Sequence, residues 1–428
     1  MLSFFARRVS TVAAVTAVVF LIIFFTLLLR PSHIDTLLPS DHFSAPHPLP
    51  VPQNTTDGWS FAARRDARNY ALSKEQCDAA FPGLYDEIYR AANFRDDVGP
   101  VTPEDVDITW RADGVVRVLL YQNQLYIVDA RGVARHDYRD RSLAVLHSLN
   151  RAVETFPDLL PNIEFSFAVD DMAEPSGNSK TIWSLARLPE KEKQWLMPDF
   201  GFWSWPVTGA ESYNELRRQI AEEEDYFDNK LPMVMWRGAL NVNKERKNLM
   251  EITKDKDWAD VKDIDWSNKT LLYERLVSMV DHCKYKYLIH TEGRSYSGRL
   301  KYIQNCESVI IIPELAWIQN YHHLLVPSGE QQNYVLVEKD FSDLEEKITY
   351  LLEHDDEANR IATNSISMFR DRYLTQAAQA CYWRELIRSW ANVSFQPQLY
   401  EEVDSTDEVT GHSSTTRKLR GTTFETYV

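Results

Sequence analysis

Several features that often disclose a function are missing from this chain of 428 residues. It contains no run of five or more basic residues, and 63 acidic against 47 basic residues give a formal net charge of −16, which argues against binding to duplex nucleic acid. It has no Cys-x-x-Cys pair and no Cys/His cluster, so no zinc site is indicated. Neither an internal repeat, a Walker loop nor a Gly-x-Gly-x-x-Gly motif occurs. The function must therefore be sought in less regular patterns.

The one long apolar run lies near the N-terminus, from Val9 to Leu29, and its 21 residues include no charged side chain. That length is about what a helix needs to cross ~30 Å of hydrocarbon. Two arginines precede the run and one follows it, which predicts a signal anchor with residues 1–8 in the cytoplasm and the rest of the chain in the lumen. A cleaved signal peptide is the alternative, but the run is long for one and no convincing cleavage site follows.

Polar segments flank the central body of the chain on both sides. Residues 30–70 include six prolines between Pro31 and Pro52, and we expect an extended stem that holds the body away from the membrane. Residues 396–428 are polar with little apolar periodicity, and a disordered tail is predicted there.

Three glycosylation sequons, at Asn54, Asn268 and Asn392, agree with the predicted anchor and indicate the secretory pathway. The chain ends without a retrieval signal of the Lys-Asp-Glu-Leu type, which favours the Golgi membrane over the soluble endoplasmic reticulum. Four cysteines allow two disulfides with three possible connectivities in an oxidising lumen, or else four buried thiols.

Between residues 71 and 395, strand-like apolar runs alternate with helical patterns. The runs are almost wholly apolar, which predicts an α/β protein with parallel sheets covered on both faces, in two domains at 71–230 and 231–395. A hairpin is predicted around Gln122 and Asn123. Because ligands of open parallel sheets bind beyond the carboxyl ends of the strands, the loops at those ends are the candidate sites.

The stretch HTEGRSYSGRLK, residues 290–301, follows one such strand. Gly293 permits a tight turn with positive φ, and Ser295 or Ser297 is predicted to cap a helix whose first turn contains Arg299. The start of a helix offers free amides and a partial positive charge, so a bound phosphate would relieve the conflict between the dipole and Arg299. The alternative is a capped helix whose basic residues pair with nearby glutamates.

Two other strand ends carry charged residues. Arg237 precedes Gly238 after a strand that should be buried, and its guanidinium suits bidentate contact with a phosphate, with an interdomain salt bridge as the alternative. Asp170 and Asp171 end another strand, where a carboxylate that faces a cleft can act as a general base, with a turn-forming pair as the alternative. Paired aspartates suited to a metal occur elsewhere, but acidic residues are abundant and no metal site is predicted.

The last candidate is the aromatic loop PDFGFWSWP, residues 198–206. It is too irregular for a strand or a helix, and Trp203 and Trp205 are predicted to form a wall for a sugar or peptide acceptor. A loop packed across the edge of the core is the alternative.

Four stretches together resemble the capsule-associated-protein glycosyltransferases, a family that includes Rumi-type protein O-glucosyltransferases and fungal capsular xylosyltransferases. The resemblance runs from about Cys77 to Trp390, and the anchor and the SYSGRLK motif are most similar to the fungal branch. The stretches are WSLARLPEKEKQWLMPDFGFWSWP, MVMWRG, CKYKYLIHTEGRSYSGRLKYIQNC and CYWRELI.

The resemblance implies a GT-B architecture, in which two Rossmann-like domains enclose a cleft. It implies an inverting, metal-independent transfer of a sugar from a UDP-sugar to a hydroxyl, with no other cofactor. The donor sugar and the acceptor are not carried over from the family; we expect glucose or xylose, and a protein or polysaccharide acceptor. Asp171 matches the catalytic base of the family, and Asp170 is the near alternative. The predicted donor-binding residues, from this match and from the spacing, are Arg237, Gly238, Gly293, Ser295, Ser297, Gly298 and Arg299.

In the family the matching cysteines pair Cys283 with Cys306 and Cys77 with Cys381, and the second pair would close a very long loop. One departure is the segment ALNVNKERKNL, which stands where the protein glucosyltransferases carry a Ser/Thr-rich segment, so the donor contacts there are not carried over. A catalytically inactive, glycan-binding protein of the same fold is the alternative function.

Overall fold

The computed structural model describes residues 58–427, except for 112, 135, 173–180, 266 and 407–412. The predicted anchor at 9–29, most of the predicted stem and Asn54 lie outside these residues. Across the described ranges, none of the helices is both long enough and apolar enough to cross a membrane. The body is a mixed α/β structure built around one sheet of six strands and one of five.

The strands of the first sheet are β1 (Val115–Tyr121), β2 (Gln124–Arg131), β3 (Ile163–Ala168), β4 (Trp183–Ser184), β5 (Trp195–Leu196) and, from the far end of the chain, β13 (Thr422–Thr423). Their order is β13-β2-β1-β3-β4-β5. The predicted hairpin is confirmed, because Gln122 and Asn123 join β1 and β2 in a two-residue turn with φ of 50° and 60°.

Most of this sheet is antiparallel, and the prediction of a parallel sheet is wrong for that part. A two-residue turn can join only antiparallel strands, and β13, β2, β1 and β3 pair in that way. Only the pairs β3–β4 and β4–β5 are parallel.

The helices that precede or cover this sheet are α1 (Ala63–Asp66), α2 (Lys74–Ala80), α3 (Asp86–Val98), α4 (His136–Glu154) and α11 (Gln376–Val393). The last of these returns from the second half of the chain, and its Trp390 meets Trp183 and Trp195 edge-on in the core. The disulfide Cys77–Cys381 joins α2 to α11, with the Cα atoms 5.6 Å apart.

The second sheet is parallel throughout, as predicted. Its strands are β6 (Leu231–Gly238), β7 (Ala259–Asp263), β8 (Tyr285–Ile289), β9 (Val309–Pro313) and β10 (Val335–Val337), in the order β10-β9-β8-β6-β7. Its helices are α5 (Tyr213–Glu223), α6 (Lys244–Ile252), α7 (Lys269–Arg275), α8 (Leu300–Ile303), α9 (Leu344–Glu353) and α10 (Asp355–Met368). The disulfide Cys283–Cys306 brackets β8 and α8, so both pairings implied by the resemblance are confirmed.

The C-terminal segment is ordered where it is described, so the prediction of a disordered tail is wrong there. Strands β11 (Tyr400–Thr406) and β12 (Ser413–Leu419) pair with each other, and β13 and α12 (Phe424–Tyr427) follow. Arg420 lies 2.8 Å from the buried carboxylate of Glu164, and Phe424 is only 3% exposed. This polar segment is held in place by residues of β2 and β3, and its own composition therefore does not indicate that it is structured.

Candidate active site

The loop that follows β8 contains the predicted phosphate site, but its helix is much shorter than predicted. Helix α8 has four residues, Arg299 stands at its N-cap with φ −71° and ψ −32°, and no side chain caps it. Four residues sum to a weak dipole. The case for an anion site therefore depends on the side chains around this loop.

Two arginines lie over the ring of Trp236 at the end of β6. The guanidinium carbon of Arg246 is 5.5 Å from the ring centroid, and that of Arg299 is 5.9 Å from it. Arg246 is 8% exposed and donates only to neutral groups, namely the hydroxyl of Thr291 at 3.1 Å and the carbonyls of Glu292 and Ala239. Among the described residues, Arg299 has neither an ion pair nor a side-chain hydrogen bond.

The positive charge of each of these two arginines makes the charged form of the other less favourable. Burial, followed by repulsion from Arg246 and Arg237, lowers the pKa of Arg299 to about 9. Burial lowers the pKa of Arg246 to about 10. Both side chains remain charged at neutral pH without a carboxylate to balance them, which is the environment that a bound anion stabilises.

The turn at Gly293 packs closely beside Arg246. The amide of Gly293 donates to the carbonyl of Ser295 at 2.8 Å and closes the turn. Gly293 does not have the positive φ that the sequence predicts. A Cβ atom there would lie 3.2 Å from the carbonyl oxygen of Tyr296 and 3.8 Å from Nη2 of Arg246, so a side chain would crowd the turn next to that guanidinium.

Two buried polar atoms in the loop after β8 have no hydrogen-bond partner among the described residues. They are Oγ of Ser295 and Nδ1 of His290, both in residues that are 1% exposed. Burial and the positive charges of Arg299 and Arg246 hold the pKa of His290 well below its ordinary value, so this ring is neutral. Buried polar groups usually have partners, so unpaired ones at strand ends are available to a polar ligand.

Arg237 is oriented differently from the predicted phosphate contact. Its Nη2 lies 2.7 Å from the carboxylate of Asp260 on the neighbouring strand β7, and its other nitrogens donate to carbonyls, including that of Arg275 at 2.9 Å. Burial alone would raise the pKa of Asp260, but hydrogen bonds from Arg237, Tyr285 and Lys262 lower it to about 2. The guanidinium of Arg237 is thus engaged within the sheet.

Gly238 is required by the packing of Trp236. A Cβ atom at Gly238 would lie 2.5 Å from the Trp236 ring. Arg246 and Arg299 both lie over that ring. Gly238 therefore supports the site indirectly, because the lack of a side chain leaves room for the indole of Trp236.

Asp199, in the aromatic loop, fastens that loop to the loop after β8. Its Oδ1 lies 2.6 Å from Nζ of Lys301, its Oδ2 accepts a hydrogen bond from the hydroxyl of Tyr296, and the amide of Gly201 donates to it at 2.6 Å. Lys301 and Asp199 are both buried, which makes the cost of separating them high. Lys301 is therefore paired with Asp199 and not with a nearby glutamate.

The two predicted wall residues lie in different places. Trp205 packs against the loop after β8, because a Cβ atom at Gly298 would lie 3.1 Å from its ring. Trp203 stacks on His147 of α4, with ring centroids 5.5 Å apart. Trp205 thus borders the region of Arg299, and Trp203 packs against the first sheet's helix.

The two aspartates after β3 point to different partners. Asp170 lies 2.7 Å from Nη2 of Arg111 and accepts from the amide of Met172, as a turn residue does. Asp171 lies 2.8 Å from Nη1 of Arg141 and is 39% exposed. Asp171 also interacts electrostatically with Tyr296 in the loop after β8, the loop that contains Arg299.

The partner of Asp171, Arg141, packs against Phe200 of the aromatic loop, and Asp199 of that loop binds Tyr296 and Lys301, which flank Arg299 in sequence. The end of β3 is thus connected through the aromatic loop to the loop after β8. Residues 73–425 match the family described as glycosyl transferase family 90. The chain belongs to this family. Membership confirms the resemblance stated from the sequence, and the enzyme class of the family is the predicted one.

The relatives found in this family are named O-glucosyltransferases. Human protein O-glucosyltransferase 1 is 30% identical over 277 residues, which cover 59% of this chain and 67% of that protein. The rat protein of the same name is 26% identical over 255 residues, covering 54% of this chain and 63% of its own. The O-glucosyltransferase rumi of Drosophila pseudoobscura pseudoobscura is 24% identical over 373 residues, which cover 79% of this chain and 86% of that protein. The match thus spans less than two thirds of the rat relative.

Three residues of the site escaped prediction from the sequence. Arg246 lies in the first turn of α6, and the one available signal was the N-cap Asn243, whose side chain accepts from the amide of Arg246. Asp199 and Arg141 gave no signal, because their partners lie far away in sequence and are known only from the fold.

Proposed function

We propose that this family 90 protein is an inverting, metal-independent glycosyltransferase of GT-B architecture. It moves a sugar, glucose or xylose, from a UDP-sugar to a hydroxyl of a protein or polysaccharide. The observation that carries this proposal is the pair Arg246 and Arg299, two unbalanced cations at the strand ends of a parallel sheet.

The arginine pair fits a nucleoside diphosphate in charge and place. A diphosphate brings two negative charges, each of which an arginine can bind through two N–H groups. The glycine at position 293 keeps a side chain away from the Arg246 guanidinium, and the hydroxyl of Ser295 in the same turn has no hydrogen-bond partner among the described residues. The same cations stabilise the charge that develops on departing UDP, and that is the task a metal performs in other transferases.

Asp171 is proposed as the base of a single displacement. Its carboxylate takes the proton of the acceptor hydroxyl while the acceptor oxygen bonds to C1 of the sugar. The bond from C1 to the phosphate oxygen breaks, and its electron pair stays on that oxygen of UDP. Attack from the face opposite the leaving group turns an α-linked donor into a β-linked product.

Location in the secretory pathway is part of the proposal. Two disulfides with no free cysteine agree with an oxidising compartment. Asn268 and Asn392 are both exposed, as glycosylated residues must be. A Golgi membrane protein, anchored through residues 9–29 with its body in the lumen and acting on a glycan or glycoprotein, is the arrangement we propose.

The test is a donor panel in the presence of EDTA. UDP-glucose, UDP-xylose, UDP-galactose and UDP-N-acetylglucosamine are incubated with the protein, with GDP-mannose as a control, and the release of UDP and the shift in Tm are measured. We expect at least one UDP-sugar to stabilise the protein and to be consumed. Glycan binding without any response to UDP or UDP-sugars would instead identify a glycan-binding protein, and dependence on added Mn²⁺ would contradict the metal-independent mechanism.

A further inference from the structure

Arg141 on α4 holds only one of the two oxygens of Asp171. Its Nη1 donates to Oδ1 of Asp171 at 2.8 Å and to the carbonyl of Val169 at 3.1 Å. Among the described residues, Oδ2 of Asp171 accepts no hydrogen bond. The guanidinium carbon of Arg141 lies 4.8 Å from the ring centroid of Phe200. The guanidinium is therefore held by the Phe200 ring as well as by its hydrogen bonds.

We propose that Arg141 is a positioning residue for the transfer reaction: it fixes Oδ1 of Asp171 and presents Oδ2 to the acceptor hydroxyl. This inference rests on the proposed function. Fixing one oxygen removes the rotation of the carboxylate that would otherwise have to be restricted at the moment of proton transfer.

The charged and titratable groups around Asp171 come from several parts of the fold. Arg141 faces it from α4, and Tyr296 from the loop after β8 interacts with it electrostatically. Asp199 of the aromatic loop interacts with both Arg141 and Tyr296. The neighbouring Asp170 is neutralised by Arg111.

Arg141 remains a cation in this environment. Burial by itself would lower the pKa of Arg141, but attraction to Asp171, Tyr296 and Asp199 and the hydrogen bond to Asp171 raise it. The cation that holds Oδ1 of Asp171 therefore stays charged at neutral pH.

The experiment uses the purified full chain and the UDP-sugar that turns over fastest in the donor panel, with water or the acceptor as the nucleophile. The variants are Arg141→Met and Arg141→Lys, and the matched control is Arg111→Met, which removes the equivalent partner of Asp170. For each, kcat and KM are determined from the rate of UDP release at pH 7, with UDP affinity and Tm determined in parallel.

We expect Arg141→Met to lower kcat by ~10- to 100-fold, as small displacements of a catalytic group do, while UDP affinity stays within ~2-fold. Arg141→Lys should recover most of the lost kcat, since its ammonium can still donate to Oδ1 of Asp171. Arg111→Met should keep kcat within ~3-fold of the wild type, since it leaves Asp171 and Arg141 in place.

An unchanged kcat in a folded Arg141→Met, beside an active wild type, would overturn this inference and leave the proposed function standing. A kcat that falls in Arg111→Met alone would point to Asp170 as the base and overturn it as well. If Arg141→Met fails to fold, an Arg141→Lys variant that folds but loses UDP affinity together with kcat would show a structural role for Arg141 and overturn the inference. A wild type that neither binds UDP nor releases it would refute the proposed function, and this inference with it.

Discussion

The guanidinium groups of Arg246 and Arg299 share the ring of Trp236, at 5.5 and 5.9 Å, and neither contacts a carboxylate of the described residues. The pKa values of about 10 and about 9 show that each charge is less stable here than in water. Because both pKa values lie below the ordinary value of arginine, the charged forms destabilise the ligand-free fold at neutral pH. A site that is strained without its ligand is typical of functional sites.

Removing one of these charges should stabilise the ligand-free protein. We expect Arg299→Met to raise the Tm of the ligand-free protein by ~2–4 °C, since its charge repels Arg246 and Arg237. The same variant should lose the stabilisation by UDP that the wild type shows. Differential scanning calorimetry with and without UDP measures both effects. A variant that is less stable than the wild type and still stabilised by UDP would show that Arg299 is a structural residue.

The assignment of the base can be tested by separating turnover from donor binding. Asp171→Asn should reduce kcat by ~100-fold or more, because the amide cannot take a proton, and UDP affinity should remain within ~2–3-fold. Asp170→Asn is the matched control, since its carboxylate pairs with Arg111, and it should keep most of the activity. Full activity in Asp171→Asn would exclude this residue as the base.

The ion pair between Arg237 and Asp260 should matter for stability in a pH-dependent way. The pKa of Asp260 is lowered to about 2, so the pair stabilises the fold fully above pH ~4 and loses its contribution as the pH falls towards 2. Arg237→Met should lower the free energy of unfolding by ~1–3 kcal/mol at pH 7, because Asp260 loses its buried partner and keeps only Tyr285 and the exposed Lys262. Unfolding in urea measures this.

The double variant Arg237→Met with Asp260→Asn distinguishes packing from donor binding. Stability should largely return, because no charge is left uncompensated. If UDP affinity returns with it, Arg237 acts through the sheet. If UDP affinity stays low in a stable double variant, Arg237 contacts the donor, as the sequence suggests.

The ordered C-terminal segment should contribute to the stability of the first sheet. The carboxylate of Glu164 is 1% exposed and pairs with Arg117 at 2.6 Å and Arg420 at 2.8 Å. Arg420→Ala should lower the free energy of unfolding by ~1–3 kcal/mol, and Arg417→Ala, an exposed residue of β12, should not. Equal stability of Arg420→Ala and the wild type, with equal proteolysis of residues 420–427, would contradict the docking of this segment.

Local signals predicted the elements whose structure is decided locally. The hairpin at Gln122 and Asn123 and the wholly buried strand β9 followed from turn residues and apolar runs. The antiparallel half of the first sheet did not follow, because its strands are as apolar as parallel ones and β13 comes from the far end of the chain.

The site was predictable in place and less so in mechanism. The loop after β8 and the aspartate after β3 were found because strand ends are where ligands bind in such sheets. The engagement of Arg237 by Asp260 and of Lys301 by Asp199 depends on neighbours 23 and 102 positions away, which no local pattern discloses. A local pattern also does not disclose that Arg246 and Arg299, in contrast to Arg237 and Arg141, have no carboxylate partner among the described residues.

The most direct test of the account is a calorimetric titration of UDP, at pH 7 and in EDTA, into the wild type and into the double variant Arg246→Met with Arg299→Met. The central claim is that these two arginines bind the diphosphate without a metal. It predicts measurable binding by the wild type and a loss of affinity of ~100-fold or more in the double variant, whose fold remains intact. Unchanged affinity in a folded double variant, or binding by the wild type only when a divalent metal is added, would contradict it.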